Sequence, residues 1–149
     1  MLISKTIVLG FTKFKTPSSA VITDLTFSVE GNKIKIFDWW TRTEIHASTD
    51  IPTNGYVNSI TFSPDGSKLA WVGLDMKVIR ISDLAQVIQY GWGDTVYSIA
   101  FSPDGTEVAT GSYDKKVRVW NSDNGNGQGA AAITTLSGHT VEVMAVAYH

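Results

Sequence analysis

The sequence contains no cysteine, which excludes disulfides, thiolate metal sites and cysteine nucleophiles together. Its three histidines, His46, His139 and His149, are dispersed and do not match the spacing of a metal-ligand motif. Lysine and arginine number 12 against 14 acidic residues, so the basic excess that non-specific nucleic-acid binding requires is missing. We therefore expect no metal, no cofactor and no nucleic-acid partner.

Long apolar runs are also missing, and no stretch approaches the roughly 18 residues that span a bilayer. The apolar N-terminal residues 1–10 are interrupted by Lys5 and lead to no recognisable cleavage site. Hydrophobic residues nevertheless make up 43% of the chain, which is enough for a core. These features predict a soluble protein of the cytoplasm or nucleus without a membrane partner.

An internal repeat is the strongest feature that the sequence does contain. Residues 62–66 read Phe-Ser-Pro-Asp-Gly, and the same five residues recur 39 positions later at 101–105. The similarity extends over residues 57–81 and 96–120, and it aligns Asp75 with Asp114. A weaker copy begins near residue 22, and a partial copy occupies 143–148. Such a period is typical of stacked repeat architectures.

Each repeat has a β pattern. Short runs of β-branched and aromatic residues alternate with turn residues such as Pro-Asp-Gly, in which proline presets φ and glycine accepts a positive φ. No segment shows a convincing helical period. The pattern predicts four short antiparallel strands in each unit. A unit of this kind cannot bury both faces alone, so it must stack against its neighbours.

The repeats resemble WD repeats. The resemblance rests on Phe-Ser-Pro-Asp-Gly after the first strand, an Asp two strands later, Val-Arg-Val-Trp120 at the end of the third strand, and Gly138-His139 where a repeat opens. It implies an all-β propeller of four-stranded antiparallel blades at approximately 20–56, 57–93 and 94–136. N-terminal strands at 2–15 and the first strand of a further blade at 141–149 would flank them.

The resemblance also implies a set of structural residues. In WD-repeat blades a serine or threonine, an aspartate, a tryptophan and a histidine are joined by hydrogen bonds that satisfy buried polar groups. The blade starting near 94 offers Thr110 or Ser112, Asp114 and Trp120, with Trp92 where histidine is expected. The blade starting at 57 offers Asp75, but Ile81 stands in place of tryptophan. His139 is expected to fill the histidine position of the last, partial repeat.

The length accommodates only about three and a half such blades, whereas closed propellers typically have 4–8. An incomplete arc is therefore predicted. Two explanations are open: the chain is a fragment of a longer protein, which we favour, or it is half of a ring that a second copy closes as a homodimer.

No catalytic residues are expected. Four aspartates, Asp65, Asp104, Asp75 and Asp114, recur at equivalent points of their repeats, which indicates roles in turns rather than at a reaction centre. The resemblance implies a non-catalytic protein–protein interaction scaffold that presents a rigid loop surface to peptide or domain partners. The alternative is a sensor or regulatory repeat segment of a larger multidomain enzyme or nucleotide-driven switch protein. Loop positions predict six partner-binding residues, of which the first is the best candidate: Trp92, Asp94, Tyr113, Leu74, Trp40 and Tyr56.

Overall fold

The structure is a computed structural model, and it describes residues 25–30, 33–38, 41–45, 51–53, 55–91, 93–123 and 131–149. Within these ranges twelve β-strands pair antiparallel into three sheets, and no helix occurs. The chain divides into two compact units, residues 1–56 and 57–149. The prediction of an all-β fold made of antiparallel sheets is confirmed.

The first unit contains sheet 1, which consists of β1 (Leu25–Glu30), β2 (Lys33–Asp38), β3 (Glu44–Ile45) and β4 (Ile51–Pro52). The last two strands both pair with β2, along different parts of it. Four apolar side chains of this sheet are buried: Leu25, Phe27, Ile34 and Ile36. The alternation of Ile34 and Ile36 along β2 has the period of two that places side chains on one face of a strand.

The second unit contains two four-stranded sheets in simple sequence order. Sheet 2 consists of β5 (Ser59–Phe62), β6 (Lys68–Val72), β7 (Asp75–Arg80) and β8 (Gln86–Gly91). Sheet 3 consists of β9 (Val96–Phe101), β10 (Glu107–Ser112), β11 (Val117–Asn121) and β12 (Thr134–Leu136).

The repeated Ser-Pro-Asp-Gly segments form the turns after β5 and β9. In the first turn Ser63 Oγ donates a hydrogen bond of 2.6 Å to Asp65 Oδ1 and accepts one of 2.9 Å from Lys68 N. The second turn repeats this arrangement with Ser102 and Asp104 at 2.6 Å. Its glycine, Gly105, has φ +73°, a left-handed conformation that favours glycine. The two aspartates therefore lie in the turns, with their carboxylates bonded to neighbouring side chains.

Sheets 2 and 3 stack through apolar side chains. Tyr90 of sheet 2 lies against Trp120 of sheet 3, with the ring centroids 4.8 Å apart. The shared core contains ten buried residues: Ala70, Val72, Met76, Val78, Ile88, Val96, Ile99, Phe101, Val108 and Trp120. Removing this apolar surface from water stabilises the stack by about 25 cal/mol for each Å² buried.

Hydrogen bonds between successive repeats recur at equivalent atoms. Val96 N donates to Gly73 O at 2.9 Å, and Val143 N donates in the same way to Ser112 O at 3.1 Å. Further along, Val146 N donates to Ser98 Oγ at 3.1 Å, as Ile99 N does to Ser59 Oγ at 3.4 Å. Residues 143–148, called the docked segment below, therefore lie on sheet 3 as β9 lies on sheet 2. The predicted blade boundaries themselves stay predictions.

On the third strands of sheets 2 and 3, β7 and β11, equivalent residues are not separated by the 39 positions that separate the rest of the two repeats. Ala70 pairs with Val78, whereas its counterpart Ala109 pairs with Val119, 41 residues after Val78. The connection between β6 and β7 is thus two residues shorter than the one between β10 and β11. Two expectations are corrected as a result. Asp75 is not a turn residue but the first residue of β7, opposite Gly91, and the counterpart of Trp120 is Ile79 rather than Ile81.

Candidate functional site

The buried polar pair of sheet 3 is Thr110 and Trp120. The indole Nε1 of Trp120 donates a hydrogen bond of 3.0 Å to Thr110 Oγ1, and both side chains are essentially inaccessible to solvent. Thr110, rather than Ser112, is therefore the residue that accepts the hydrogen bond of the Trp120 indole. Ser112, also buried, instead donates to the backbone oxygen of Thr95 at 3.1 Å.

In sheet 2 the tryptophan lies on the second strand of the equivalent pair instead of on the third. Trp71 occupies the position on β6 that Thr110 occupies on β10, and Ile79 occupies the position of Trp120. Trp71 is 1% exposed, and its buried indole nitrogen has no hydrogen-bond partner among the residues that the structure describes. The tryptophan thus lies on the second strand of sheet 2, whereas in sheet 3 it lies on the third strand. Sheet 2 is consequently held by apolar packing where sheet 3 has a hydrogen bond.

Asp114 lies in the turn after β10 and forms an ion pair with Arg118, whose Nη2 is 2.6 Å from Asp114 Oδ2. Burial raises the pKa of Asp114, but the hydrogen bond and positive charge of Arg118, together with hydrogen bonds to the Lys116 backbone and the Ser112 side chain, outweigh it, so the pKa is lowered overall. The carboxylate therefore pairs with a cation of the next strand. Asp75, in contrast, is buried beside Gln89, whose Nε2 is 3.5 Å from Asp75 Oδ2.

Three connections of the second unit meet at one end of sheets 2 and 3. Val96 N bonds to Gly73 O, and Tyr113 N bonds to Thr95 O, each at 2.9 Å. The connections at 73–74, 93–95 and 113–116 are thereby joined through their backbones. We call their exposed residues the turn surface.

The backbone of the last of these connections is also fixed. Lys115 adopts φ 68°, which a lysine occupies only at some cost. Its N–H donates to Ser112 O at 3.1 Å, and Lys116 N donates to Asp114 Oδ1 at 3.2 Å. These bonds hold the turn that presents Tyr113 to solvent.

Three of the predicted partner-binding residues lie on the turn surface. Leu74 is 60% exposed and Tyr113 is 52% exposed, and Asp94 is exposed between them in sequence. Tyr56 is 87% exposed but belongs to the first unit. The other two predicted residues, Trp92 and Trp40, lie outside the described residues. The structure thus brings Leu74, Asp94 and Tyr113 to connections that share hydrogen bonds.

His139 is exposed rather than buried in a blade. Among the described residues, no second or third strand follows the docked segment, so the strands that would enclose this histidine are not part of the described fold. Sequence reasoning also missed two exposed apolar residues beside it, Val141 at 66% and Met144 at 65%. Their exposure could not be predicted, because the repeat pattern predicts a strand in this region and apolar residues of a propeller strand are expected to be buried by neighbouring strands.

The opposite end of the second unit contains a polar cleft of about 200 Å³ lined by Ser67, Lys68, Arg80, Gln86, Val87 and Asp123. Both of its cations are neutralised. Lys68 Nζ is 2.6 Å from Asp123 Oδ1, and Arg80 Nη2 is 2.9 Å from Asp83 Oδ2. Since Lys68 belongs to sheet 2 and Asp123 follows the third strand of sheet 3, this ion pair connects the two sheets.

In the described ranges, no three histidine, aspartate or glutamate side chains lie close enough together to hold a metal ion. No described helix is long and apolar enough to cross a membrane.

Comparison with known proteins identifies the repeat. Residues 85–121 match the family model of the WD domain, G-beta repeat. This match runs from β8 through β11, so one sequence repeat supplies the last strand of sheet 2 and three strands of sheet 3. No curated protein sequence is significantly similar to the chain.

Solved structures share the fold. The structure of U3-55K aligns with a TM-score of 0.69 and 21% identity over 83% of this chain and 39% of its own length. The crystal structure of the RRP9 WD40 repeats gives a TM-score of 0.69 and 21% identity over 83% of this chain and 38% of its own. This chain thus spans about two fifths of either structure. WD40 repeats are generally non-catalytic scaffolds for protein interactions. Residues 85–121 are therefore a WD repeat, and the fold of the chain is that of WD40 propeller blades.

Proposed function

We propose that this chain is a non-catalytic scaffold whose turn surface binds a peptide or a domain of a partner protein. One observation carries the proposal. Leu74 and Tyr113 are large exposed side chains on turns that are tied to a shared neighbour, the connection at 93–95, by backbone hydrogen bonds.

The rigidity of these turns favours binding. A partner that docks on preformed turns orders few new groups, so less of the interaction free energy is lost to conformational entropy. The sheets below supply that rigidity, because Val96 and Ser112 are buried and bond to the same connections.

The chemistry of the surface fits a protein ligand. Tyrosine is over-represented among the residues that dominate binding energy, because its ring is large and rigid and its hydroxyl can still form hydrogen bonds. Leu74 adds an apolar contact, and Asp94 adds an exposed carboxylate that can pair with a basic side chain of the ligand. We therefore expect a ligand with an apolar anchor and a neighbouring positive charge.

The experiment compares partner capture by three forms of the chain. The double variant Leu74→Ser, Tyr113→Ser removes both apolar anchors and should weaken binding of a captured partner by about 30-fold, the effect of losing about 2 kcal/mol. The control is Ile133→Ser, which removes a side chain of similar exposure, 55%, beside β12. The proposal would be overturned if the double variant bound the partner as tightly as the natural chain does. It would also be overturned if Ile133→Ser weakened binding as much as the double variant does.

The alternative, a regulatory segment of a larger enzyme, predicts a different result. The turn surface would then contact a catalytic domain, and the double variant would change that enzyme's activity without abolishing capture of other proteins.

A further inference from the structure

The polar cleft at the end opposite the turn surface contains two cations that face each other. Lys68 on β6 and Arg80 on β7 are direct partners in the pairing register of sheet 2, so their side chains lie on the same face. Like charges in this position destabilise a sheet unless negative charge lies beside them. Both side chains line the cleft of about 200 Å³. The pair therefore requires an anion, and the cleft has space to receive one.

The equivalent positions of sheet 3 lack these cations. There Glu107 lies opposite Asn121, in place of Lys68 and Arg80. One sheet thus carries two positive charges where the other carries one negative charge, although both form the same strands. The cationic pair is consequently a feature of this cleft and not a requirement of the repeat.

The positive charge of Lys68 is held in place by sheet 3. Its Nζ donates a hydrogen bond of 2.9 Å to Ser122 Oγ, and the buried Ser122 donates in turn to the backbone oxygen of Gly105 at 2.5 Å. Only 14% of the Lys68 side chain is exposed. An anion that binds to this ammonium group therefore orders few new groups, which lowers the entropic cost of binding.

The anion that now neutralises Lys68 is a solvated one. Asp123 Oδ1 lies 2.6 Å from Lys68 Nζ, but 65% of the Asp123 side chain is exposed. Ion pairs with such an exposed partner contribute little to stability, because water solvates the carboxylate nearly as well when it leaves. Asp123 can therefore be exchanged for another anion at small cost.

Arg80 keeps hydrogen-bonding capacity beside Lys68. Its Nε and Nη2 bond to Asp83, which also accepts a backbone hydrogen bond of 3.0 Å from Ala85 and is thereby fixed in its turn. The Nη1 group takes no part in these bonds to Asp83 and can donate to a second anion. An anion between Lys68 and Arg80 thus has donors on both sides.

We propose that this cleft binds a phosphate dianion, either free phosphate or the phosphate monoester of a larger ligand, which displaces Asp123 and bridges Lys68 and Arg80. A phosphate monoester carries nearly two negative charges at pH 7 and offers three acceptor oxygens, so it matches two adjacent cations better than a carboxylate does. Pockets that enclose whole small molecules measure about 300–1,000 Å³, so this smaller cleft accepts a single group. The site is separate from the turn surface and does not depend on the function proposed for it.

Amide NMR titration of the full chain tests the proposal with two probes, inorganic phosphate and the amide of N-acetylated phosphoserine. Each should shift the signals of Ser67, Lys68, Arg80 and Asp123, whereas the same serine amide without phosphate should not. Tighter binding of the ester assigns the site to a phosphorylated ligand. Binding of inorganic phosphate that is at least as tight assigns it to the free ion.

Two variants should change the affinity in opposite directions. Arg80→Gln should weaken binding about tenfold, the effect of losing one hydrogen bond between charged groups. Asp123→Asn should strengthen it about two- to fivefold, because it removes the competing carboxylate and keeps the side-chain size. The matched controls Lys115→Gln and Asp94→Asn make the same changes of charge at exposed positions of the turn surface and should leave the affinity unchanged.

Three results would overturn the proposal. The first is the absence of shifts with either probe at about 10 mM, where even a Kd of about 1 mM would fill most of the site. The second is an affinity that Asp123→Asn lowers or leaves unchanged. The third is equal strengthening by Asp94→Asn and Asp123→Asn, which would show that the chain responds only to its net charge.

Discussion

Trp120 and Thr110 form the one hydrogen bond between side chains that the structure buries completely within sheet 3, among its described residues. The two residues lie on neighbouring strands, and Trp120 also contacts Tyr90 of the preceding sheet. The indole therefore joins its own sheet through nitrogen and the adjacent sheet through its ring.

Thr110→Val should destabilise the fold, because it keeps the shape of the side chain but leaves the buried indole N–H of Trp120 without an acceptor. The expected loss in the free energy of unfolding is about 1–3 kcal/mol. Chemical denaturation with near-ultraviolet circular dichroism measures it. Thr110→Ser, which keeps the hydroxyl, is the control and should cost less. A valine variant as stable as the natural chain would show that the bond contributes nothing.

Gly111→Ala should displace the docked segment. A Cβ atom at this position would lie 2.8 Å from Val143 Cγ1 and 2.9 Å from the carbonyl oxygen of Val143, and both distances are too short. Overpacking of this kind costs about 1–3 kcal/mol.

The matched control is Gly91→Ala, because nothing lies within 4 Å of the added carbon there. Limited proteolysis after Tyr148 and the unfolding free energy report on the two variants. Equal behaviour of Gly111→Ala and Gly91→Ala would contradict the close contact between β10 and the docked segment.

Asp104 should titrate far below an ordinary aspartate. Hydrogen bonds from the Ser102 hydroxyl, the Thr106 backbone and the Thr106 hydroxyl lower its pKa from 3.8 to about 2. A carboxylate with a depressed folded pKa stabilises the fold above its unfolded pKa, and this contribution disappears as the pH falls from about 3.8 through about 2.

Carboxyl NMR titration measures this pKa directly. Ser102→Ala removes the first of the donors and should move the midpoint of Asp104 upward, and Asp104→Asn should flatten the decline of stability over the same pH range. A midpoint near 3.8 in the natural chain would contradict the turn geometry.

Arg118→Gln should raise the pKa of Asp114, because the remaining burial favours the neutral carboxyl once the cation is removed. The same NMR titration follows the change, and Arg118→Lys, which keeps the charge, should produce a smaller shift. An unchanged midpoint in Arg118→Gln would show that the ion pair does not set this pKa.

Much of the fold could be predicted from the sequence, because its signals are local. The turn residues of 62–66 and 101–105 fix where first strands end, and the β-branched runs around them fix the strands. The identities of Thr110 and Trp120 as structural residues came from the family resemblance, and the structure shows them bonded.

The rest could not be predicted, because it depends on pairing between strands. The ungapped alignment of Asp75 with Asp114 hides a two-residue difference in the connection before the third strand, and only the pairing register reveals it. The exposure of His139 and Met144 likewise depends on which strands cover the docked segment, a long-range property that no local pattern contains.

Amide hydrogen exchange reports directly on whether successive repeats stack in an equivalent way. The N–H groups of Val96, Val143 and Val146 all donate to the preceding sheet. We expect all three to exchange slowly, at rates comparable with those of paired strand amides. Rapid exchange of Val143 and Val146 together with protection of Val96 would show that residues 143–148 do not lie on sheet 3 as β9 lies on sheet 2.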